Sequence, residues 1–564
     1  MTFYQTQKKI LNGELTDDQI QEVFAQDITE QDFADILRAS QEAQVSLETE
    51  VDCLDIVGTG GDGCDTFNIS TISAMLCASL GIPVAKHGNR SASGLCGSAN
   101  FLELLGYPLN LSPDQSLELL HRTNFCFLFA PQYNPAFRFA KSARSSYGKP
   151  TYFNLLGPLL NPVKPKYMVV GISKKISHSL NYAFNFVQKS LNSNTTNYAI
   201  IQSDEGLDEI SIADQSTIID KTGTKFFDPK IKFGLDEIKI TTKKDALDIF
   251  WEILNSKSVN AKVHAVLLNT VVAMSVVNSK GFEENYEVAK EQILSGKFKS
   301  FVFNLLEEVK IVQRKPDSIL WKIVQDKKKN LNSTVIQSEA KNLPQPKEKG
   351  QLNINKGFQP TQFNIICEIK PKSPSAAVIR KKLDLPQIIS DYDSFGATGI
   401  SVLTDEKYFG GSIKLFREVR ELTDKPLLQK DFVISNSQIT EAKNVGANMI
   451  LLIVKILSRK DILEFIKIAN GLELQVLLEV NDILEYNLIR EFLPLFDNII
   501  IGVNNRNLET FETNLQNSLD LADQIPETKW SLSGIKTRED IEMLKKAGYN
   551  GVLIGEGMLG FGQT

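Results

Sequence analysis

Between residues 365 and 554 the chain repeats one pattern: a short apolar run that ends on a polar residue. The runs cover residues 365–369, 399–403, 426–428, 449–454, 476–478, 499–503, 530–532 and 552–554. The stretches between them are long enough for helices. Eight βα units within roughly 200–250 residues is the arithmetic of a (β/α)8 barrel. In such barrels the C-terminal ends of the strands face the active site. The polar endings Lys370, Thr404, Lys430, Lys455, Glu479, Asn504, Ser533 and Glu556 are therefore expected to gather at one mouth.

A second pattern lies in the first half. Residues 54–57 read as a buried strand that ends in Gly58-Thr59-Gly60-Gly61-Asp62, with Thr66, Asn68, Ser70 and Thr71 following. Glycines let backbone N–H groups approach an anion, and a helix start adds more donors. Asp62 in an anion site makes sense only beside a cation, so the pattern points to a metal-complexed diphosphate. No Gly-Lys-Ser/Thr follows, and the third glycine of a dinucleotide fingerprint is missing from its place. After the apolar stretch 80–85 come Lys86, His87, Asn89 and Arg90, then Ser91, Ser93 and Ser98. These read as a cationic, serine-rich loop for phosphate oxygens.

At 564 residues the chain needs two domains or more, at roughly 100–200 residues per domain. A net charge of −6 leaves no electrostatic footprint for nucleic acid or an anionic membrane. Residues 1–19 have no signal-peptide core, and no apolar run approaches the roughly 20 residues that span a bilayer. Cytoplasmic residence is the expectation. The six cysteines include no Cys-x-x-Cys pair, which favours reduced, buried thiols. All four histidines lie at or before His264, so proton transfer in the second half falls to Glu, Asp or Lys.

The first fifty residues read as helices, with Thr16/Gln19 and Thr29/Asp32 as capping pairs. Ser112-Pro113-Asp114-Gln115 is another helix start. Strand-like runs at 168–171 and 198–202 complete an α/β core with a helical subdomain, about 1–50 plus part of 112–150. Residues 319–329 have helical spacing, and 329–362 read as linker. The expected division is 1–315, a helical start and linker at 316–363, and a barrel at 364–564.

The first half resembles anthranilate phosphoribosyltransferase over about residues 1–312. The resemblance rests on the Gly58 to Asp62 turn, Asn68-Ile69-Ser70-Thr71, Lys86-His87-Gly88-Asn89-Arg90, Phe153-Asn154-Leu155-Leu156-Gly157-Pro158-Leu159 with Asn161-Pro162, and Gly206-Leu207-Asp208-Glu209. It implies an α/β phosphoribosyltransferase domain of nucleoside phosphorylase-like fold. That family transfers the phosphoribosyl group of phosphoribosyl diphosphate to anthranilate. Gly58, Gly61, Asp62, Thr66, Asn68, Ser70, Thr71, Lys86 and Ser98 would hold the diphosphate substrate. Ser70, Asp208 and Glu209 would ligate about two Mg2+ ions. Asn89 and Arg144 would bind anthranilate, and a homodimer through this half is an assembly the family allows. Asn134 stands where the family has histidine, Pro150 where arginine is common, and Cys96 where a polar residue is usual.

From about Ser318 onward the chain resembles indole-3-glycerol-phosphate synthase. The motifs are Glu368-Ile369-Lys370 with Ser373-Pro374-Ser375, Leu403-Thr404-Asp405, Lys430-Asp431-Phe432, Glu479-Val480, Asn504-Asn505-Arg506, Ser533-Gly534-Ile535 and Gly555-Glu556. That family closes an indole ring from a carboxyphenylamino-deoxyribulose phosphate, losing CO2 and water, with no cofactor. Lys430 would be the general acid, Glu479 its acid/base partner and Glu368 an assistant. Lys370 would hold the substrate carboxylate, with Ser373 nearby. Asn504 and Arg506 would orient the substrate, and Ser533, Gly534 and Gly555 would meet the phosphate. Leu532 replaces a usual glutamate, from which slower turnover is expected. The alternatives are a pyrimidine nucleoside phosphorylase-like first half, and a barrel that is phosphoribosylanthranilate isomerase-like or non-catalytic.

Overall fold

Seven strands form the sheet of the first unit: β1 (Leu54–Gly58), β2 (Val84–Gly88), β3 (Phe125–Phe129), β4 (Tyr167–Gly171), β5 (Asn197–Ser203), β6 (Ser216–Asp220) and β7 (Gly223–Phe227). Their order is β3-β2-β1-β4-β5-β6-β7. β1 to β5 are parallel, and β6 and β7 add an antiparallel edge. This computed structural model describes residues 1–91, 94–180, 182–278, 280–333, 357–359, 362–372, 383–507, 510 and 512–555. The chain divides into two units, Met1–Gln313 and Arg314–Thr564. Among the described residues no helix is long and apolar enough to cross a membrane.

The parallel strands are apolar because helices cover both faces. Helix Ile69–Ser79 returns the chain from β1 to β2 and packs against Ala261–Val277. The opening helices Phe3–Leu11, Asp17–Phe24 and Glu30–Glu42 each start with a capping box, at Thr2, Thr16 and Thr29. Their apolar faces, including Ile20, Phe24 and Ile36, share one core with Tyr152, Leu156, Val170 and Ile200. Helix Pro113–Thr123 starts at Ser112 as the sequence indicates, but it packs beside β3 and helix Lys297–Val312. The helical layer instead takes Lys141–Tyr147 and Tyr152–Leu159.

The second unit closes a parallel barrel from β8 (Asn364–Ile369), β9 (Gly399–Leu403), β10 (Leu427–Lys430), β11 (Met449–Ile453), β12 (Gln475–Val480), β13 (Ile499–Asn504), β14 (Lys529–Leu532) and β15 (Gly551–Ile554). Closure pairs Ile554 of β15 with Cys367 of β8. Phe358 lies near the strand starts. Its N–H donates to Gln475 Oε1 (2.7 Å), and its ring lies where a Cβ on Gly399 would stand, at 2.2 Å. The preceding helix runs Ile319–Ser333, longer than its spacing indicates. Most of the expected linker, residues 334–356, lies outside the described residues.

Candidate active sites

In the first unit the glycine-rich turn follows β1 at the carboxyl end of the sheet, where open parallel sheets bind ligands. Gly60, Gly61 and Gly63 have φ of 65°, 73° and 77°, which glycine adopts without strain. A Cβ on Gly58 would lie 2.2 Å from Asp208 Oδ2, and one on Gly171 1.8 Å from the Asp208 carbonyl oxygen. Asp208 is thus clamped between the ends of β1 and β4. Gly60 N–H donates to Asp208 Oδ2 (2.7 Å), and Ser70 N–H, in the first turn of its helix, donates to Glu209 Oε1 (3.1 Å).

Burial, then the Asp62 charge, pushes the Asp208 carboxyl well up; burial and the Asp208 charge do the same to Glu209. Asp62, partly buried and accepting from Cys64 N–H (3.2 Å), is also raised by burial. Lys86 faces this negative surplus. It is 2% exposed, donates to the Ile56 carbonyl and lies 3.5 Å from Ser70 Oγ. Among the described residues no three His, Cys, Asp or Glu side chains converge on one metal position. Two repelling carboxylates beside the Ser70 hydroxyl nevertheless form an oxygen-only set that fits a hard cation sharing phosphate ligands.

Lys86 and His87 are not on a loop: both belong to β2. Arg90 is engaged by Glu103, with Nε 3.1 Å from Oε2. Ser98 opens helix Ser98–Leu105, and its hydroxyl donates to the Asn89 carbonyl (3.3 Å). Asn68 donates to the Cys96 carbonyl (3.0 Å), a contact that any side chain at 96 permits. Thr66 forms a bridge to Lys239, and Thr71 is buried in its helix. Ser93 lies outside the described residues.

Arg144, partly buried in helix Lys141–Tyr147, stacks 5.1 Å from the Phe153 ring. It makes no ion pair among the described residues, and burial lowers its pKa. Asn89 is exposed, its Oδ1 accepting from Arg90 N–H (2.7 Å). His87 Nδ1 lies 3.1 Å from the Gly157 carbonyl, so Nδ1 carries the proton. Asn134 Nδ2 donates to His87 Nε2 (3.4 Å). Burial holds the imidazole neutral, with its pKa lowered to about 4. Nothing in the structure explains Pro150.

Sequence reasoning missed Asp55 as a supporting residue. Fully buried, it accepts from His87 N–H (3.3 Å) and from Asn161 Nδ2 (2.8 Å). Burial pushes its carboxyl up to about 6 against the pull of Lys86. The available signal was a carboxylate inside an otherwise apolar run.

The barrel site draws on alternate strands, as barrel layers do. Glu368 comes from β8, Lys430 from β10 and Glu479 from β12. Lys430 Nζ lies 3.4 Å from Glu368 Oε2, and Lys370 Nζ lies 3.3 Å from Glu368 Oε1. Burial pushes Glu368 up, but Lys430 and Lys370 outweigh it and hold the carboxyl below its ordinary value. Glu479, 2% exposed, goes the other way: burial raises it, and Lys430 and Asn504 offset only part of that. Asn504 Nδ2 donates to Glu479 Oε1 (2.9 Å) and its Oδ1 accepts from Arg506 N–H (2.9 Å), which fixes the amide at both ends.

Beyond β14 the backbone turns through Ser533 and Gly534, with φ of 66° and 80°. Asn505, part of the Asn504-Asn505-Arg506 motif but given no role from sequence, braces this turn through the Leu532 and Ser533 carbonyls (3.2 and 3.1 Å). A Cβ on Gly555 would stand 3.0 Å from Glu368 Oε1, so only glycine leaves that approach open. Leu532 is buried, and its Cδ1 would meet a Cβ on Gly502 at 2.7 Å. Ser373 and Glu556 lie outside the described residues.

The folds and sites define an α/β glycosyltransferase joined to a (β/α)8 lyase barrel, and the comparisons agree. Residues 50–299 match the glycosyl transferase family a/b domain, and residues 320–562 match indole-3-glycerol phosphate synthase. An anthranilate phosphoribosyltransferase of Nitrosopumilus maritimus is 36% identical over 319 residues, covering 54% of this chain and 89% of that protein. One from Caldicellulosiruptor saccharolyticus is 39% identical over 269 residues, covering 45% and 76%. The crystal structure of anthranilate phosphoribosyltransferase from Thermus thermophilus superposes with a TM-score of 0.51 at 26% identity, covering 54% of this chain and 94% of that one. The chain belongs to the anthranilate phosphoribosyltransferase family and carries an indole-3-glycerol phosphate synthase domain behind it, which makes it a bifunctional enzyme of tryptophan biosynthesis.

Proposed function

We propose that the first unit transfers phosphoribosyl from phosphoribosyl diphosphate to the amine of anthranilate. The second converts carboxyphenylamino-deoxyribulose phosphate to indole-3-glycerol phosphate, releasing CO2 and water. One observation carries this reading: in both units the charged residues of the family motifs converge at the carboxyl ends of parallel strands, the Gly58 turn on Asp208 and Lys430 on Glu368.

In the first reaction the bond from the anomeric carbon to diphosphate breaks and the anthranilate nitrogen takes its place. Backbone N–H groups of the Gly58 to Asp62 turn, with Thr66, Asn68, Ser98 and Lys86, cradle the departing charge. About two Mg2+ ions, held through Ser70, Asp208 and Glu209, would supply the remaining neutralisation of diphosphate. Arg144 clamps the anthranilate carboxylate by a fork of two hydrogen bonds, and Asn89 orients the ring. A weak aromatic amine needs positioning more than a strong base.

In the second reaction Lys430 gives a proton to the ketone oxygen as the new carbon–carbon bond forms. Glu368, kept anionic by its two lysines, holds that ammonium in place. Lys370 binds the carboxylate that leaves as CO2. Glu479, raised by burial, exchanges the protons of the dehydration. Asn504 and Arg506 orient the substrate, and Ser533, Gly534 and Gly555 receive its phosphate. The family resemblance also carries a homodimer through the first unit; a scattering mass of twice 63.0 kDa is then expected.

Two assays test the proposal. Magnesium-dependent loss of anthranilate fluorescence with phosphoribosyl diphosphate tests the first unit. Indole-chromophore formation from carboxyphenylamino-deoxyribulose phosphate tests the second. Absence of either signal overturns that half.

A further inference from the structure

We infer that Lys327 is a positioning residue of the barrel site: brought in by the helix Ile319–Ser333, its ammonium ties the ends of β9 and β10 together and so sets where Lys430 stands. The inference rests on the reading of Lys430 as the ring-closure acid.

Lys327 Nζ pairs with Asp431 Oδ1 and lies 3.5 Å from Asp405 Oδ2. Asp405 comes two residues after β9, and Asp431 directly follows Lys430. The two carboxylate side chains are 5% and 8% exposed, and among the described residues no other cation pairs with either. Asp431 is a hub. Its Oδ2 accepts from the Thr404 hydroxyl (2.7 Å), whose oxygen accepts from Gln429 Nε2 (3.2 Å). Asp405 Oδ1 caps the turn Glu406–Phe409 by accepting from Tyr408 N–H (2.7 Å). The neighbouring Asp326 accepts from the Tyr408 hydroxyl (2.5 Å), which staples the helix to the same turn.

Leu403 and Lys430 are register partners, so the two loops start side by side. Without Lys327, two buried carboxylates face one another uncompensated, and removal of one member of a buried ion group is costly for that reason. Their separation would rotate the end of β10. The Lys430 to Glu368 pair, at 3.4 Å, has little slack before it breaks. A plain structural staple would act differently, lowering stability while leaving the chemistry of the folded enzyme intact.

The test uses the full chain as Lys327→Met and Lys327→Arg, with kcat and KM for ring closure measured beside phosphoribosyl transfer in the same sample. For Lys327→Met we expect ring-closure kcat to fall at least about tenfold, with KM held within about threefold. Lys327→Arg should stay within about threefold of wild type, and transfer should be unchanged in both. A Lys327→Met kcat within about twofold of wild type overturns the proposal, as does Lys327→Arg being equally impaired. Should Lys327→Met fail to bind indole-3-glycerol phosphate, Lys327→Met with Asp405→Asn, which removes the surplus charge, is measured instead. A low kcat there supports the proposal and wild-type kcat overturns it. A wild-type chain without ring closure would overturn the reading of Lys430 itself.

Discussion

Lys430 and Glu368 meet across 3.4 Å from strands that are next-nearest neighbours in the barrel, with β9 between them. Glu368 shares its other oxygen with Lys370, so one buried carboxylate organises two cations. Replacing Lys430 by Ala removes the proton donor, while Lys370 still pairs with Glu368. Ring closure should fall on the order of 10²–10⁴-fold while phosphoribosyl transfer by the same chain is unchanged. A variant that closes the ring at the wild-type rate contradicts Lys430 as the acid.

Glu479 carries a pH signature. Its carboxyl is raised by burial, and the Asn504 amide favours the ionised form by donating to it. Asn504→Ala removes that donor, so the carboxyl should bind its proton more tightly. The acidic limb of the ring-closure profile must then move to higher pH. Rates across the acidic range check this; a limb that stays or moves to lower pH assigns it to another group.

Gly58 and Gly60 should differ although they share one turn. Gly58→Ala drives a methyl into Asp208 and displaces a residue proposed to hold the metal. A shift of about 1 Å at such a site can cost roughly 10²-fold in rate. A Cβ on Gly60 meets nothing within 4 Å, so Gly60→Ala carries only the strain of its positive φ, about 1–2 kcal/mol. Transfer kinetics of the two variants, beside an unchanged ring-closure control, separate clash from strain.

Arg144→Lys keeps the charge and loses the fork. The KM for anthranilate should rise roughly 10- to 100-fold, the equivalent of about 1.5–3 kcal/mol for a charged hydrogen bond. The KM for phosphoribosyl diphosphate should hold. Equal changes in both would place Arg144 outside the anthranilate pocket.

The barrel was legible because its strands are buried on both faces and read as apolar runs. Even so, β10 begins one residue after its run and extends through Gln429 and Lys430, since a site-facing charge can belong to the ladder. The hairpin of β6 and β7 escaped notice because β6 is only half-buried and β7 mostly exposed, and their apolar pairs, Ile218-Ile219 and Phe226-Phe227, are too short to read as strand runs. β3 carries the apolar signal Phe-Cys-Phe-Leu-Phe, but it follows a helix with only Asn124, at φ 58°, between them. Lys86 looked like a loop residue because the carboxylates around it, Asp55, Asp208 and Glu209, are scattered along the sequence. Lys327 lies in the stretch whose spacing indicated only a helix; its partner Asp431 is 104 residues away.

The two proposed reactions are not consecutive, because an isomerisation lies between them. Supplying the intact chain with anthranilate, phosphoribosyl diphosphate and Mg2+ is therefore the most direct test. Anthranilate should be consumed, no indole-3-glycerol phosphate should form, and adding a separate phosphoribosylanthranilate isomerase should make it appear. Failure to form it with the isomerase present, while carboxyphenylamino-deoxyribulose phosphate accumulates, would contradict the claim that this one chain performs both steps.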